Sequence, residues 1–282
     1  MKSSTGGNAG SAPPPPEAGK ASDLKVRMLS ALILGPLVLA AVWAGGWTLR
    51  ALLAATALLA LNEWLRMVAQ DRLATALPAG LAAVIVVLGV HVALGPAIAM
   101  LAAFALAGVV TATAGMGRWL VGFGVPYVAA GVLALDWLRE APEAGLALFL
   151  FVLLTVWATD IGAYAAGRSI GGPRLAPRIS PKKTWAGLLG GVVASGLAGL
   201  GVAVAAGAAS PLLALLVGAC TAVVAQAGDL FESAVKRRFD IKDSGRLIPG
   251  HGGLLDRIDG LLVAAPVLAL FHATAGVWLR WW

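Results

Sequence analysis

The chain has 282 residues, of which 59% are hydrophobic and 12% are charged, and its formal net charge is +7. Soluble globular proteins contain about 25% charged residues, and a soluble core of this size could not hide so much apolar surface. Cys220 is the only cysteine, which excludes a secreted disulfide scaffold. The composition therefore predicts a polytopic membrane protein.

Taken in chain order, residues 1–22 are polar and rich in Gly, Ser and Pro, which predicts a disordered tail. Beyond the tail, runs without charged residues indicate membrane spans, because a charge in the bilayer centre is costly and a spanning helix needs about 20 apolar residues. The runs cover residues 28–49, 51–62, 73–117, 119–135, 144–159, 184–228 and 260–279. The two longest runs hold two helices each. Pro78 and the Gly95–Pro96 pair punctuate the first run, and a break is expected over 207–211 in the second.

These runs predict an all-α polytopic membrane protein with about nine transmembrane helices, because lipid excludes an open sheet. About five helices fall in residues 23–145 and about four in residues 146–282, which also carry the polar loops. With a cytoplasmic N-terminus, most Lys and Arg residues lie on the cytoplasmic side, in agreement with the positive-inside rule. The net charge of +7 then reflects topology, and we expect no nucleic-acid partner.

Acidic residues gather at the end of predicted span eight and the start of span nine. Asp229, Glu232 and Ser233 have i, i+3, i+4 spacing and share one helix face. Asp256 and Asp259 share a face of the following helix, and the two helix ends are expected to be neighbours. Carboxylate oxygens suit Mg²⁺, which also binds phosphate oxygens. The four acidic residues are therefore candidate metal ligands.

The segment between these helices is rich in Lys, Arg and Gly. A glycine-rich turn at 249–253 could form an anion nest, and a helix that begins near Leu254 would point its positive end toward the loop. Metal ligands, cations and an anion nest together indicate phosphoryl or nucleotidyl transfer. Each feature alone has a structural alternative: a positive-inside anchor at 236–238, a hydrogen-bonding turn at His251, and dipole-complementing charges at the start of span nine.

A second polar region begins near the end of span six. Asp160, Tyr164 and Arg168 form one helical stripe, which predicts either a functional site or a structural ion pair. The basic loop that follows contains Ser180, Lys182 and Lys183. It could hold a second phosphate, or it could be an interfacial basic loop with an aromatic anchor.

Residues 233–259 resemble the signature of the phosphatidate cytidylyltransferases, also called CDP-diacylglycerol synthases. The matching positions are Ser233, Lys236, Arg237, Lys242, Asp243, Gly245, His251, Gly252, Gly253, Asp256, Arg257 and Asp259. Segments 160–164, 180–185 and 228–233 also look like motifs of this family. The chain departs from the family at Ala186, where an acidic or amide residue is common, and at Gly260, where Ser is common.

The resemblance implies an integral-membrane enzyme of phospholipid biosynthesis that converts CTP and phosphatidic acid into CDP-diacylglycerol and pyrophosphate. It also implies Mg²⁺, with a second cation as a further option, and a homodimer in the cell membrane with the active site facing the cytoplasm. The attacking lipid phosphate is ionised at neutral pH, so the reaction needs no strong general base.

The resemblance also assigns roles to individual residues. It implies that Asp229 and Asp256 are the first-choice metal ligands, supported by Asp259 and Glu232. The implied catalytic residues are Asp229, Asp256, Asp259, Lys236 and Arg257. The implied substrate-binding residues are Asp160, Ser180, Lys182, Lys183, Ser233, Arg237, Lys242, Arg246, His251, Gly252 and Gly253.

Three other functions compete with this interpretation. A polyprenol or lipid-alcohol kinase is the main alternative, and it would need ATP and a general base. A CDP-alcohol phosphotransferase is disfavoured, because Asp259 and Gly260 are followed by two leucines rather than by the motif of that family. A transporter would carry charges deep in its spans and repeats with broken helices.

Overall fold

The computed structural model describes residues 32–142, 144–245, 247 and 252–282. Within these residues the chain forms a bundle of apolar helices joined by short connections. The helices are α1 Leu32–Ala44, α2 Gly46–Val68, α3 Leu73–Leu94, α4 Pro96–Ala114, α5 Trp119–Arg139, α6 Gly145–Ser169, α7 Trp185–Ala206, α8 Pro211–Arg238 and α9 Leu255–Phe271. A π-helical turn, His272–Gly276, and a last helical turn, Val277–Leu279, continue α9.

The prediction of an all-α polytopic membrane protein is confirmed. In the described part of the chain, 8 helices are long and apolar enough to cross a membrane, and α1 is a shorter apolar helix. Together they correspond in order to the spans predicted from the charge-free runs. The tail predicted at 1–22 lies outside the described residues.

The predicted breaks inside the two longest runs are confirmed at glycines. Gly95 has φ 85° and is followed by Pro96 at the first turn of α4, where proline is well tolerated. Gly207 ends α7 with φ 68°, a left-handed conformation that favours glycine. Pro78, by contrast, lies inside α3 and does not end it.

Several helices continue past the apolar runs into charged sequence. Helix α6 extends to Ser169 and α8 extends to Arg238, so Asp160, Asp229 and Lys236 are helical. A helix satisfies its backbone hydrogen bonds internally whatever its side chains are, so a charge marks the edge of the lipid rather than the end of the helix. The candidate site is therefore built on rigid helix ends.

Helix α5 is the centre of the bundle and packs against α2, α4 and α9. Helices α6, α7 and α8 pack against one another, and α8 also packs against α9. An aromatic cluster joins three of these helices near the candidate site: Trp64 of α2 stacks with Phe231 of α8, and both contact Tyr127 of α5. The indole of Trp64 donates a hydrogen bond to the carbonyl of Leu120, at 2.8 Å.

Four connections meet at one end of the bundle, which we call the site end: 69–72, 115–118, 170–184 and the described parts of 239–254. Arg118 Nη1 lies 2.5 Å from Asp71 Oδ1, which joins the first two connections. Arg237 Nε donates to the carbonyl of Ile179, at 3.3 Å, and joins the end of α8 to the third connection. The four connections follow α2, α4, α6 and α8, so every second connection lies at the site end, as expected for spans that alternate in direction.

The connection between α6 and α7 contains a small antiparallel hairpin that the sequence analysis did not predict. Strand β1, Arg174–Ala176, pairs with β2, Ser180–Thr184. The hydroxyl of Thr184 accepts a hydrogen bond from Gly187 N, at 3.0 Å, and so caps α7. The hairpin places Lys183 directly before a helix, facing the neighbouring α8.

Candidate active site

The two polar regions predicted separately from the sequence meet at Lys183. Its Nζ lies 2.6 Å from Asp229 Oδ2 and donates to Gln226 Oε1, at 2.8 Å. Ser233, one turn further along α8, donates its hydroxyl to Asp229 Oδ1, at 3.2 Å. The hairpin and α8 therefore share one site, and Gln226 is a member that the sequence analysis did not identify.

A cavity of about 360 Å³ lies between α6, α7 and α8 beside this contact. The stripe predicted on α6 lines it, and Arg168 Nη1 donates to the hydroxyl of Tyr164, at 2.9 Å. The charge of Asp160 interacts with those of Asp229 and Lys183. Cations from two elements and carboxylates from two helices thus surround one space.

A second group of charges lies where α8 meets α9. Lys236 Nζ is 2.6 Å from Asp256 Oδ1 and 3.3 Å from Glu232 Oε1. Glu232 has 0% of its side chain exposed, so its charge needs a buried partner. Lys236 therefore balances two carboxylates in this structure.

Asp256 also organises the loop before α9. Its Oδ2 accepts hydrogen bonds from Ser244 N, at 2.9 Å, and Gly253 N, at 3.1 Å. Ser244 precedes the predicted glycine-rich turn, and Gly253 is the last residue of that turn. One carboxylate thus holds both sides of the loop while its other oxygen contacts Lys236.

Close helix packing brings the next carboxylate of α9 to the same place. A Cβ on Gly228 of α8 would lie 2.8 Å from the carbonyl oxygen of Asp259, so only glycine fits there without a shift. Gly260 packs against Ala225, where a Cβ would meet the backbone at 3.3 Å. The charge of Asp259 interacts with those of Asp229 and Glu232.

Glu63, near the end of α2, is a member of this region that the sequence analysis did not assign. Its Oε1 accepts from Leu254 N, at 3.0 Å, and its Oε2 accepts from Leu255 N, at 2.8 Å, and from the Ser244 hydroxyl, at 3.1 Å. These N–H groups belong to the positive helix end that was predicted from the sequence to face a bound phosphate. In this structure they donate to a carboxylate of the chain itself.

Comparison with known proteins agrees with the geometry. Residues 25–275 match the model of the cytidylyltransferase family. A phosphatidate cytidylyltransferase of Brucella suis biovar 1 (strain 1330) is 42% identical over 261 residues, which cover 89% of this chain and 94% of the relative. The chain belongs to the cytidylyltransferase family.

Shorter matches to this family concern about half of the chain. A phosphatidate cytidylyltransferase of Rickettsia bellii (strain RML369-C) is 44% identical over 128 residues, covering 43% of this chain and 55% of the relative. One of Bacillus subtilis (strain 168) is 42% identical over 139 residues, covering 48% of this chain and 52% of the relative. The family resemblance inferred from the motifs is thereby confirmed.

The carboxylates of the candidate site suit a Mg²⁺ ion shared with the substrate better than a closed protein cage. Among the described residues, no group of three or more His, Cys, Asp or Glu side chains is arranged to hold a metal ion. Mg²⁺ is usually bound by one or two carboxylates together with substrate phosphates, so the interacting pair of Asp229 and Asp259 fits this mode. The oxygens of both first-choice ligands are already engaged in the structure: those of Asp229 by Lys183 and the Ser233 hydroxyl, and those of Asp256 by Lys236 and two backbone N–H groups.

The remaining predicted substrate contacts lie around the hairpin and loop. Ser180 is half-buried on β2, while Lys182 and Lys242 are exposed, and Lys182 lines the cavity. Arg237 donates hydrogen bonds to the backbone carbonyls of Ile179 and Ile241. The charge of Arg257 interacts with that of Asp160. Gly252 has φ 87°, which favours glycine. The predictions for Arg246 and His251 fall outside the described residues.

Proposed function

We propose that this chain makes CDP-diacylglycerol and pyrophosphate from CTP and phosphatidic acid. The observation that carries the proposal is the convergence of Lys183 with Asp229 and of Lys236 with Asp256 at one end of an apolar helix bundle. Membership of the cytidylyltransferase family supports it, as do relatives named phosphatidate cytidylyltransferase. A membrane-embedded bundle gives a lipid substrate direct access to such a site.

The proposed reaction is a displacement at phosphorus. A phosphate oxygen of the lipid bonds to the α-phosphorus of CTP as the bond to the departing pyrophosphate breaks. The nucleophile is already ionised, so the main demand on the protein is to offset negative charge and to align the groups. Arg168, Lys182 and Lys183 line the cavity and could offset phosphate charge there.

The metal assignment is part of this proposal. Asp229 and Asp259 would hold Mg²⁺, with Asp256 and Glu232 as further ligands if a second cation binds. The ion would neutralise charge on the triphosphate. Each of these carboxylates lies beside a lysine or interacts with another carboxylate. This arrangement supports a site in which a metal–nucleotide complex supplies the remaining positive charge and ligands.

We further propose that the protein is a multi-pass protein of the cell inner membrane with the site end in the cytoplasm. CTP is a cytoplasmic nucleotide, and the basic connections at the site end satisfy the positive-inside rule in this orientation. Homodimer formation, which the family resemblance implies, and the absence of a nucleic-acid partner, which is inferred from the charge distribution, belong to the same proposal.

A transfer assay with the purified protein in detergent micelles tests the proposal. CTP labelled at the α-phosphate is supplied with phosphatidic acid, with and without Mg²⁺, and a parallel reaction contains ATP labelled at the γ-phosphate with a polyprenol. We expect label from CTP to enter the lipid phase only when both phosphatidic acid and Mg²⁺ are present. Label that enters the polyprenol from ATP, with none from CTP, would overturn the proposal in favour of a lipid-alcohol kinase.

A further inference from the structure

The start of helix α9 is capped by a residue of another helix. The residue that precedes it, Leu254, provides no side-chain hydrogen bond, although the helix carries both Asp256 and Asp259. The first free N–H groups of the helix are instead bound by Glu63, a residue of α2 that is 191 residues away from Leu254 along the chain. A cap from a distant helix fixes α9 relative to the bundle, in addition to the contacts that Asp256 makes with the loop before α9.

The Glu63 carboxylate is buried and fully engaged. The residue is 4% exposed, and its two oxygens accept three hydrogen bonds, two from backbone N–H groups and one from the Ser244 hydroxyl. A buried carboxylate is costly unless it is hydrogen-bonded, and a helix N-terminus favours negative charge. The position therefore suits a carboxylate better than an amide.

The loop is shaped to receive this carboxylate. A Cβ on Gly245 would overlap the carboxylate of Glu63, and a Cβ on Gly253 would lie 2.7 Å from Glu63 Oε2. Larger residues at either position would push the loop away from α2. The two glycines thus let the backbone close around one side chain.

Glu63 and Asp256 bind the same two segments of the loop, at Ser244 and at residues 253–255. Ser244 donates its hydroxyl to Glu63 and its N–H to Asp256, while Gly253 donates to Asp256 next to the N–H groups that Glu63 binds. The other oxygen of Asp256 contacts Lys236 of α8. A displacement of Glu63 would therefore be transmitted to Asp256.

We propose that Glu63 is a positioning residue for nucleotidyl transfer. It fixes the start of α9 so that Asp256 and Asp259 face the carboxylates and Lys236 of α8. Glu63 acts through these side chains and not on the substrate. This inference rests on the proposed function, and it gives α2 a part in positioning the site.

The kinetic test is Glu63→Gln in the transfer assay. The amide would turn an N–H₂ group toward an N–H donor, so we expect kcat/KM to fall about 10- to 100-fold, as for other residues that orient metal ligands. Because the metal ligands would be displaced, the half-saturating Mg²⁺ concentration should rise. The matched control is Glu140→Gln, the same change at the opposite end of the bundle, where Glu140 pairs with Arg50.

A second test needs neither substrate nor metal. Limited trypsin digestion in micelles reports on the loop through cleavage after the exposed Lys242, identified by fragment mass. We expect Glu63→Gln to speed this cleavage about tenfold. The loss of a hydrogen bond to a buried charge raises the population of molecules in which the loop is detached from residue 63, and trypsin cleaves that population. If Glu63→Gln does not fold, Ser244→Ala removes one of the three hydrogen bonds and should move both readouts in the same direction by a smaller factor.

The outcomes separate the two proposals. Unchanged Mg²⁺ dependence or unchanged trypsin cleavage in Glu63→Gln would overturn the positioning role, even if kcat fell. An unmodified chain that transfers no label from CTP would overturn the proposed function instead. The trypsin result would still show whether Glu63 holds the loop.

Discussion

At the scale of single residues, Asp229 is the carboxylate on which both polar regions converge. It pairs with Lys183, and its charge interacts with that of Asp259. Asp229→Asn should lower kcat/KM by about 100-fold or more, because an amide neither offsets the lysine nor binds a metal ion strongly. Label transfer from CTP measures this. Asp71→Asn is the matched control, since Asp71 is an exposed aspartate of the site end, and equal activity of the two variants would contradict the assignment.

Lys236 gives a prediction about stability. Lys236→Met would leave Glu232 and Asp256 close together without their shared cation, at a cost of about 3–5 kcal/mol for a broken buried ion pair. Thermal unfolding in micelles, followed by tryptophan fluorescence, should show a clear fall in Tm. Adding Asp256→Asn should cost less than the sum of the two single changes, because the residues are in contact. Additive effects would show that the pair is not coupled.

At the scale of elements, the packing of α6 on α7 depends on glycine. A Cβ on Gly190 would lie 2.8 Å from the carbonyl oxygen of Gly162, whereas a Cβ on Gly201 of the same helix would meet nothing within 4 Å. Gly190→Leu should therefore separate the helices at a cost of about 1–3 kcal/mol or more, and Gly201→Leu should be tolerated. The folded fraction after size-exclusion chromatography in detergent distinguishes them. Equal loss in both variants would contradict this packing argument.

The sequence predicted the elements better than their contacts. Charge-free runs placed the helices in the right order, because lipid imposes one strong constraint on every span. The hairpin of β1 and β2 was missed, since three and five residues are too few for a periodic pattern. Glu63 was not assigned from the sequence, because its partner Ser244 lies 181 residues further along the chain.

At the scale of the whole molecule, polar groups are concentrated at the two ends of the bundle. The end opposite the site holds a cluster in which Asp136 Oδ2 lies 2.7 Å from His91 Nε2 and 3.2 Å from Arg50 Nε. A cavity of about 410 Å³, lined mainly by apolar side chains, adjoins this cluster. Charged groups at both ends, with an apolar middle, give the bundle two possible orientations, and the bias of Lys and Arg toward the site end favours one of them.

Labelling of single cysteines decides this orientation. In a Cys220→Ser background, which removes the exposed native thiol, Met116→Cys places a thiol at the site end and Ala209→Cys places one at the opposite end, both at exposed positions. With a membrane-impermeant maleimide, we expect Ala209→Cys to react in intact cells and Met116→Cys to react only after permeabilisation. The reverse pattern would put the carboxylate and lysine cluster outside the cell, where CTP is scarce, and would contradict the proposed cytoplasmic reaction. Because the two positions lie at opposite ends of the same helix bundle, their opposite reactivity would also confirm that the bundle crosses the membrane.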